Sequence, residues 1–161
     1  MTRSPRGGSI GPSLLGAPLG GHVGAALRQR VELLDSIHDF ERAIAVPSDD
    51  PDWRDHAAHW LGQLRRTFAA HVAVTEGDDG LYAELLLTAP RLARPVRVLV
   101  REHAMLTRAM ENLAQWLADP DLDVGQVRGR ARDLLRELSQ HRQRGADLVY
   151  EAYATDIGGE T

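Results

Sequence analysis

The chain has 161 residues, 43% hydrophobic and 26% charged, which is the composition of one globular domain rather than of a disordered chain. Nineteen basic residues against 23 acidic ones leave a formal charge of −4 and an isoelectric point near 5.9. That balance excludes a nucleic-acid or anionic-membrane binder working through bulk positive charge. Cysteine is absent and every basic residue is arginine, which removes disulfides, thiolate metal sites, cysteine nucleophiles, Schiff-base lysines and a phosphate-loop lysine.

Residues 1–21 scatter their apolar side chains among Gly, Pro and Ser and never build the apolar core of an export signal. They read as a plain flexible tail, with a short docking peptide for a protein partner, carried by Ile10, Leu14, Leu15 and Leu19, as the alternative. No apolar run is long enough for a membrane span, so the expectation is a soluble cytoplasmic protein. The folded domain is expected over residues 22–157, with a short C-terminal tail at 158–161.

Past Gly21 the chain reads as helices separated by punctuation. The first long helix is expected from His22 to Val46, with Val23, Leu27, Val31, Leu34, His38 and Glu41 on one stripe. Pro47 and Pro51 stop it, with Asp50 as the next N-cap and Pro51 at the first helical position. The second runs to Thr75 with Trp53, Ala57, Trp60, Leu64, Phe68 and His71 in step, and ends at Gly77-Asp78-Asp79-Gly80. A short helical segment follows at Leu81 to Leu87. The third long helix, ending near Ala118, aligns Val96, Leu99, His103, Leu106, Met110, Leu113 and Leu117. After Asp119-Pro120-Asp121 the fourth runs from Leu122 to Tyr153, with Val127, Ala131, Leu134, Leu138, His141, Gly145 and Leu148 in register. Strand signals are nearly absent. The predicted fold is all-α, an antiparallel up-down-up-down four-helix bundle.

Winding each segment at 100° per residue puts one histidine on each inner stripe: His38, His71, His103 and His141. His22, His56 and His59 fall at a helix start, at the stripe's edge and opposite it, and read as structural. A buried imidazole must find partners for both ring nitrogens, because an unsatisfied polar group costs about 1–3 kcal/mol. Carboxylates, water or a metal would supply them, and imidazole with carboxylate suits Fe, Zn, Cu or Ni. Counting from the turns, His103 and His141 lie at nearly one level. His38 should stand opposite residue 60, about 16 Å along the axis from His71, so it joins the others only through a longer loop or an axial stagger.

The segments Ile37-His38-Asp39-Phe40, His71 to Glu76, Arg101-Glu102-His103-Ala104-Met105-Leu106 and His141 resemble the hemerythrin (HHE cation-binding) family, non-haem di-iron proteins with a four-helix bundle. The resemblance covers about residues 22–153. It implies a mononuclear or di-iron site with His38, His71, His103 and His141 as ligands and Glu76 as the carboxylate. It also implies O2 or NO binding, iron handling or redox sensing, without demonstrating turnover. The chain departs from the family at Thr75, where a bridging glutamate is expected, and at Gly145 and Ala146, where an acid is expected. Asp147, one place later, points about 120° from His141 on a regular helix. A π-bulge near Gly145, or unwinding after Thr75, would swing Asp147 and Glu76 inward. The alternatives are a metal-free helical scaffold with hydrogen-bonded histidines, and a pH sensor in which protonating core histidines near pH 6 loosens the bundle. Tyr150 and Tyr153 are expected to cap the bundle with their rings.

Overall fold

Apolar residues at three- and four-residue steps give each long segment one face that must leave water. The computed structural model describes residues 21–47 and 49–154. They form α1 (Gly21–Ala45), α2 (Trp53–Glu76), α3 (Leu81–Thr88), α4 (Ala93–Ala118) and α5 (Val124–Ala154), with a 3-10 turn at Pro90–Leu92. No strand occurs among the described residues. The tail with its Ile10, Leu14, Leu15 and Leu19, and residues 155–161, lie outside them.

Helix α1 packs against α2 and α5, and α4 against α2 and α5, so the four long helices surround a common core. The short α3 touches α1, α2 and α5. The interior divides into two apolar clusters. One holds Phe40, Trp53, Leu64, Phe68, Met110 and Leu138, among others; the second holds Val23, Leu81, Tyr82, Leu85, Leu99 and Leu148. Each of α2, α4 and α5 carries one buried histidine between its contributions to these clusters or beside them.

Helices α2, α4 and α5 bury the stripes expected of them, save that Leu61 replaces Trp60 in the fully buried set and Gly145 is half-buried. Helix α1 does not. Its buried face is Val23, Ala26, Gln29, Leu33, Ile37, Phe40 and Ile44, while Leu27 and Val31 are exposed. The cause is volume: turning the helix inward on Leu33, Ile37, Phe40 and Ile44 removes more apolar surface from water than the stripe ending in His38 and Glu41. His38 is consequently exposed.

Arginines tie the connections to the bundle. Arg54 donates from Nη1 to the Asp119 carbonyl at 2.9 Å and the Trp116 carbonyl at 3.3 Å, and from Nη2 to the Leu122 carbonyl. It thereby adds a charged donor to carbonyls at and just past the end of α4, where backbone donors are few. Arg128 donates to the Val46 carbonyl and stacks over Trp53 at 5.3 Å. Between α2 and α3 the chain turns at Gly80, whose N–H donates to the Gly77 carbonyl at 2.7 Å. A Cβ there would stand 2.8 Å from the carbonyl oxygens of Thr75 and Gly77, so the turn that brings Tyr82 back over the core has no room for a side chain.

Candidate metal centre

His71 from α2, His103 from α4 and His141 from α5 meet in the interior, 8%, 2% and 2% exposed. One ligating atom from each lies within 4.8 Å of the other two. The Phe68 ring closes one side, 5.7 Å from His71 and His103 and 6.1 Å from His141. Tyr82 stacks on His103 with ring centres 5.9 Å apart and planes 13° from parallel. These rings exclude water from the imidazoles and fix their orientation.

Two carboxylates set the tautomers. His103 Nδ1 lies 2.5 Å from Glu76 Oε1, and His141 Nδ1 lies 2.8 Å from Glu102 Oε2. A carboxylate accepts, so both Nδ1 atoms carry the proton and both Nε2 atoms present lone pairs. The other oxygen of Glu102 accepts from Arg144. His71 Nε2 lies 3.3 Å from His141 Nε2. Since the His141 nitrogen is an acceptor, His71 Nε2–H donates to it. That leaves two buried nitrogens without a partner, Nδ1 of His71 and Nε2 of His103.

The electrostatics follow from burial. His71 is lowered from 6.5 to about 3, first by desolvation, then by the charges of His103 and His141 and of Arg30 and Arg142. His103 is lowered to about 3, by desolvation and then by His141, with Glu102 opposing. Desolvation also lowers His141, against its hydrogen bond to Glu102. All three are therefore neutral at pH 7, the protonation state a metal ligand requires. Desolvation raises Glu76 and, strongly, the Tyr82 phenol, which meets the Thr75 hydroxyl.

The donor set fits one cation. His71 Nε2 and His141 Nε2, 3.3 Å apart, would both lie within reach of one cation placed between them. Carboxylates on the far nitrogens of metal-ligating histidines are the usual second layer, and an ion would engage the orphaned His103 Nε2. Among the described residues no carboxylate oxygen joins the three imidazoles.

The expected site is therefore redistributed. His71, His103 and His141 come together, whereas His38 points to solvent from α1. Arg30, eight residues before it and about 12 Å along the helix, faces His71 instead. Glu76 hydrogen-bonds His103 from behind and is not grouped with the imidazoles as a ligand. Thr75 is buried, with its hydroxyl bonded back to the His71 carbonyl at 2.8 Å. No π-bulge forms at Gly145: α5 is regular throughout, and Asp147 is exposed and accepts from Gln143. Tyr150 and Tyr153 are exposed and do not cap the core. His56 and His59 are exposed as expected of structural residues, and the His22 side chain lies outside what is described. Sequence reasoning missed Glu102, Tyr82, Arg30 and Arg142. The available signal for Glu102 was an acid adjoining a core histidine on α4.

A helical protein with a buried three-histidine cluster backed by carboxylates has the makings of a cation-binding bundle. The family model of the hemerythrin HHE cation-binding domain matches residues 26–153, and the chain belongs to that family. No curated protein and no solved structure matches the chain.

Proposed function

We propose that this chain is an antiparallel up-down-up-down hemerythrin-like bundle that holds a single iron ion through His71, His103 and His141. In this reading the ion keeps positions open for a small diatomic ligand, O2 or NO, and the protein serves in iron handling or redox sensing. The observation that carries it is the pair of buried, unpartnered nitrogens, His71 Nδ1 and His103 Nε2. Each costs about 1–3 kcal/mol if left unsatisfied, and engaging a cation through the three imidazoles relieves His103 directly. For His71 it requires the proton to sit on Nδ1 instead of Nε2. Iron bound there would supply a Lewis-acidic, redox-active centre.

The protein's own contribution is positioning. Glu76 and Glu102 hold the protons on the rear nitrogens of His103 and His141, raising their basicity as ligands. Phe68 and Tyr82 keep the pocket dry. Absence of a carboxylate among the imidazoles supports one ion over two. The test is anaerobic loading with ferrous iron, followed by metal analysis and visible spectra before and after NO. Bound iron with an NO-dependent band is expected; iron-free protein after loading would overturn the reading.

A further inference from the structure

His103 and His141 each have a carboxylate behind them; His71 has none. Its Nδ1 is buried and unpartnered. Beside it lies a cavity of about 30 Å³ lined by His71, His141, Thr75, Tyr82 and two arginines, Arg30 from α1 and Arg142 from α5. Neither guanidinium has a hydrogen-bonding or ion-pairing partner among the described residues, and both are half-buried. Both arginines line this one cavity. Two like charges beside one small, largely apolar cavity repel each other, and an anion between them relieves that repulsion. The wall opposite is open: a Cβ at Gly145, which lines the same cavity, would meet nothing within 4 Å.

We propose that this cavity is a seat for a small planar monoanion, a carboxylate of formate size, held by Arg30 and Arg142 and accepting a hydrogen bond from His71 Nδ1. The anion supplies from solution the third rear carboxylate that the sequence does not encode. The chemistry is specific in three respects. A guanidinium fork matches a planar carboxylate bidentately. The volume holds about two or three water-sized groups, which suits three heavy atoms and is tight for a tetrahedral oxyanion. The proton needed on His71 Nδ1 to donate to the anion is the one that leaves Nε2 free for a cation. Anion and metal therefore bind cooperatively, and by linkage each tightens the other by the same factor. The cooperative part rests on the proposed metal site; the seat itself does not.

The experiment is calorimetric titration of formate into the full chain, metal-free and loaded with zinc, which keeps redox chemistry out of the readout. Metal content is measured separately, so failure to bind zinc speaks against the metal reading alone. Saturable formate binding is expected in both forms, and the zinc form should bind it at least tenfold more tightly, the scale of a rear-carboxylate effect. Arg30→Gln and Arg142→Gln should each weaken formate at least tenfold while leaving the helical circular dichroism unchanged. Gly145→Leu, which fills the cavity without touching either charge, should weaken it likewise. If zinc does not load, the metal-free titration and its arginine dependence decide for or against the seat. Formate affinity unchanged by both arginine substitutions, no saturable binding in either form, or phosphate displacing formate with equal affinity would each overturn the proposal.

Discussion

The Nε2 atoms of His71 and His141 face each other at 3.3 Å across the core, both within reach of one cation placed between them. In the metal-free chain a proton occupies that line, donated by His71 to His141. A cation and that proton compete for the same lone pairs, and the carboxylate behind His141 favours the state in which Nε2 is available.

Glu102→Gln tests the rear carboxylate. The amide keeps the shape but loses the charge that accepts from His141 and Arg144. Metal affinity, read by competition with a chelator, should fall about 10–100-fold with the fold intact. Glu76→Gln should act similarly through His103. Unchanged affinity in both would contradict an outer role for these acids.

His38→Ala separates the sequence pattern from the structure. The residue is exposed, so its removal should change stability by less than about 0.5 kcal/mol and leave the metal content as in the parent chain. His103→Ala should abolish metal binding under the same loading. Loss of metal on replacing His38 would return α1 to the site.

The pH dependence of the metal-free chain follows from the depressed histidines. His71 and His103 titrate near 3 when folded and near 6.5 when unfolded, so between those values the unfolded chain binds more protons. Stability is then flat above pH 6.5 and falls as the pH drops toward 3, by up to about 1.4 kcal/mol per pH unit for each histidine. Chemical denaturation at several pH values checks the sign. The loss begins where the unfolded histidines start to protonate, near pH 6.5, and accumulates as the pH falls.

Arg54→Ala should cost about 1.5–3 kcal/mol, because one guanidinium ties the carbonyls of Trp116, Asp119 and Leu122 together across the connection between α4 and α5. Denaturation midpoints read the loss, and metal content should be unaffected since the loop lies away from the histidines.

Much of the fold was legible because three helices bury unbroken stripes of large apolar residues. Trp53 to His71, Val96 to Leu117 and Val127 to Leu148 keep their register in the structure. The phase of α1 was not, since two apolar rows lie about one residue apart and only packing decides between Leu27/Val31 and Ile37/Phe40. That choice also removes His38 from the core, which counting along the hairpin had already set at a different level from His71. The roles of Glu76 and Glu102 needed coordinates, because each reaches a histidine on another helix. Local spacing carries no record of such a pair. Tyr82 and the two arginines were hidden for the same reason.

One cation on three imidazoles is read out by metal analysis of the chain loaded with ferrous iron under anaerobic conditions. One iron per chain is expected, lost in His103→Ala and kept in His38→Ala. Two irons per chain, or iron-free protein after loading, would contradict it.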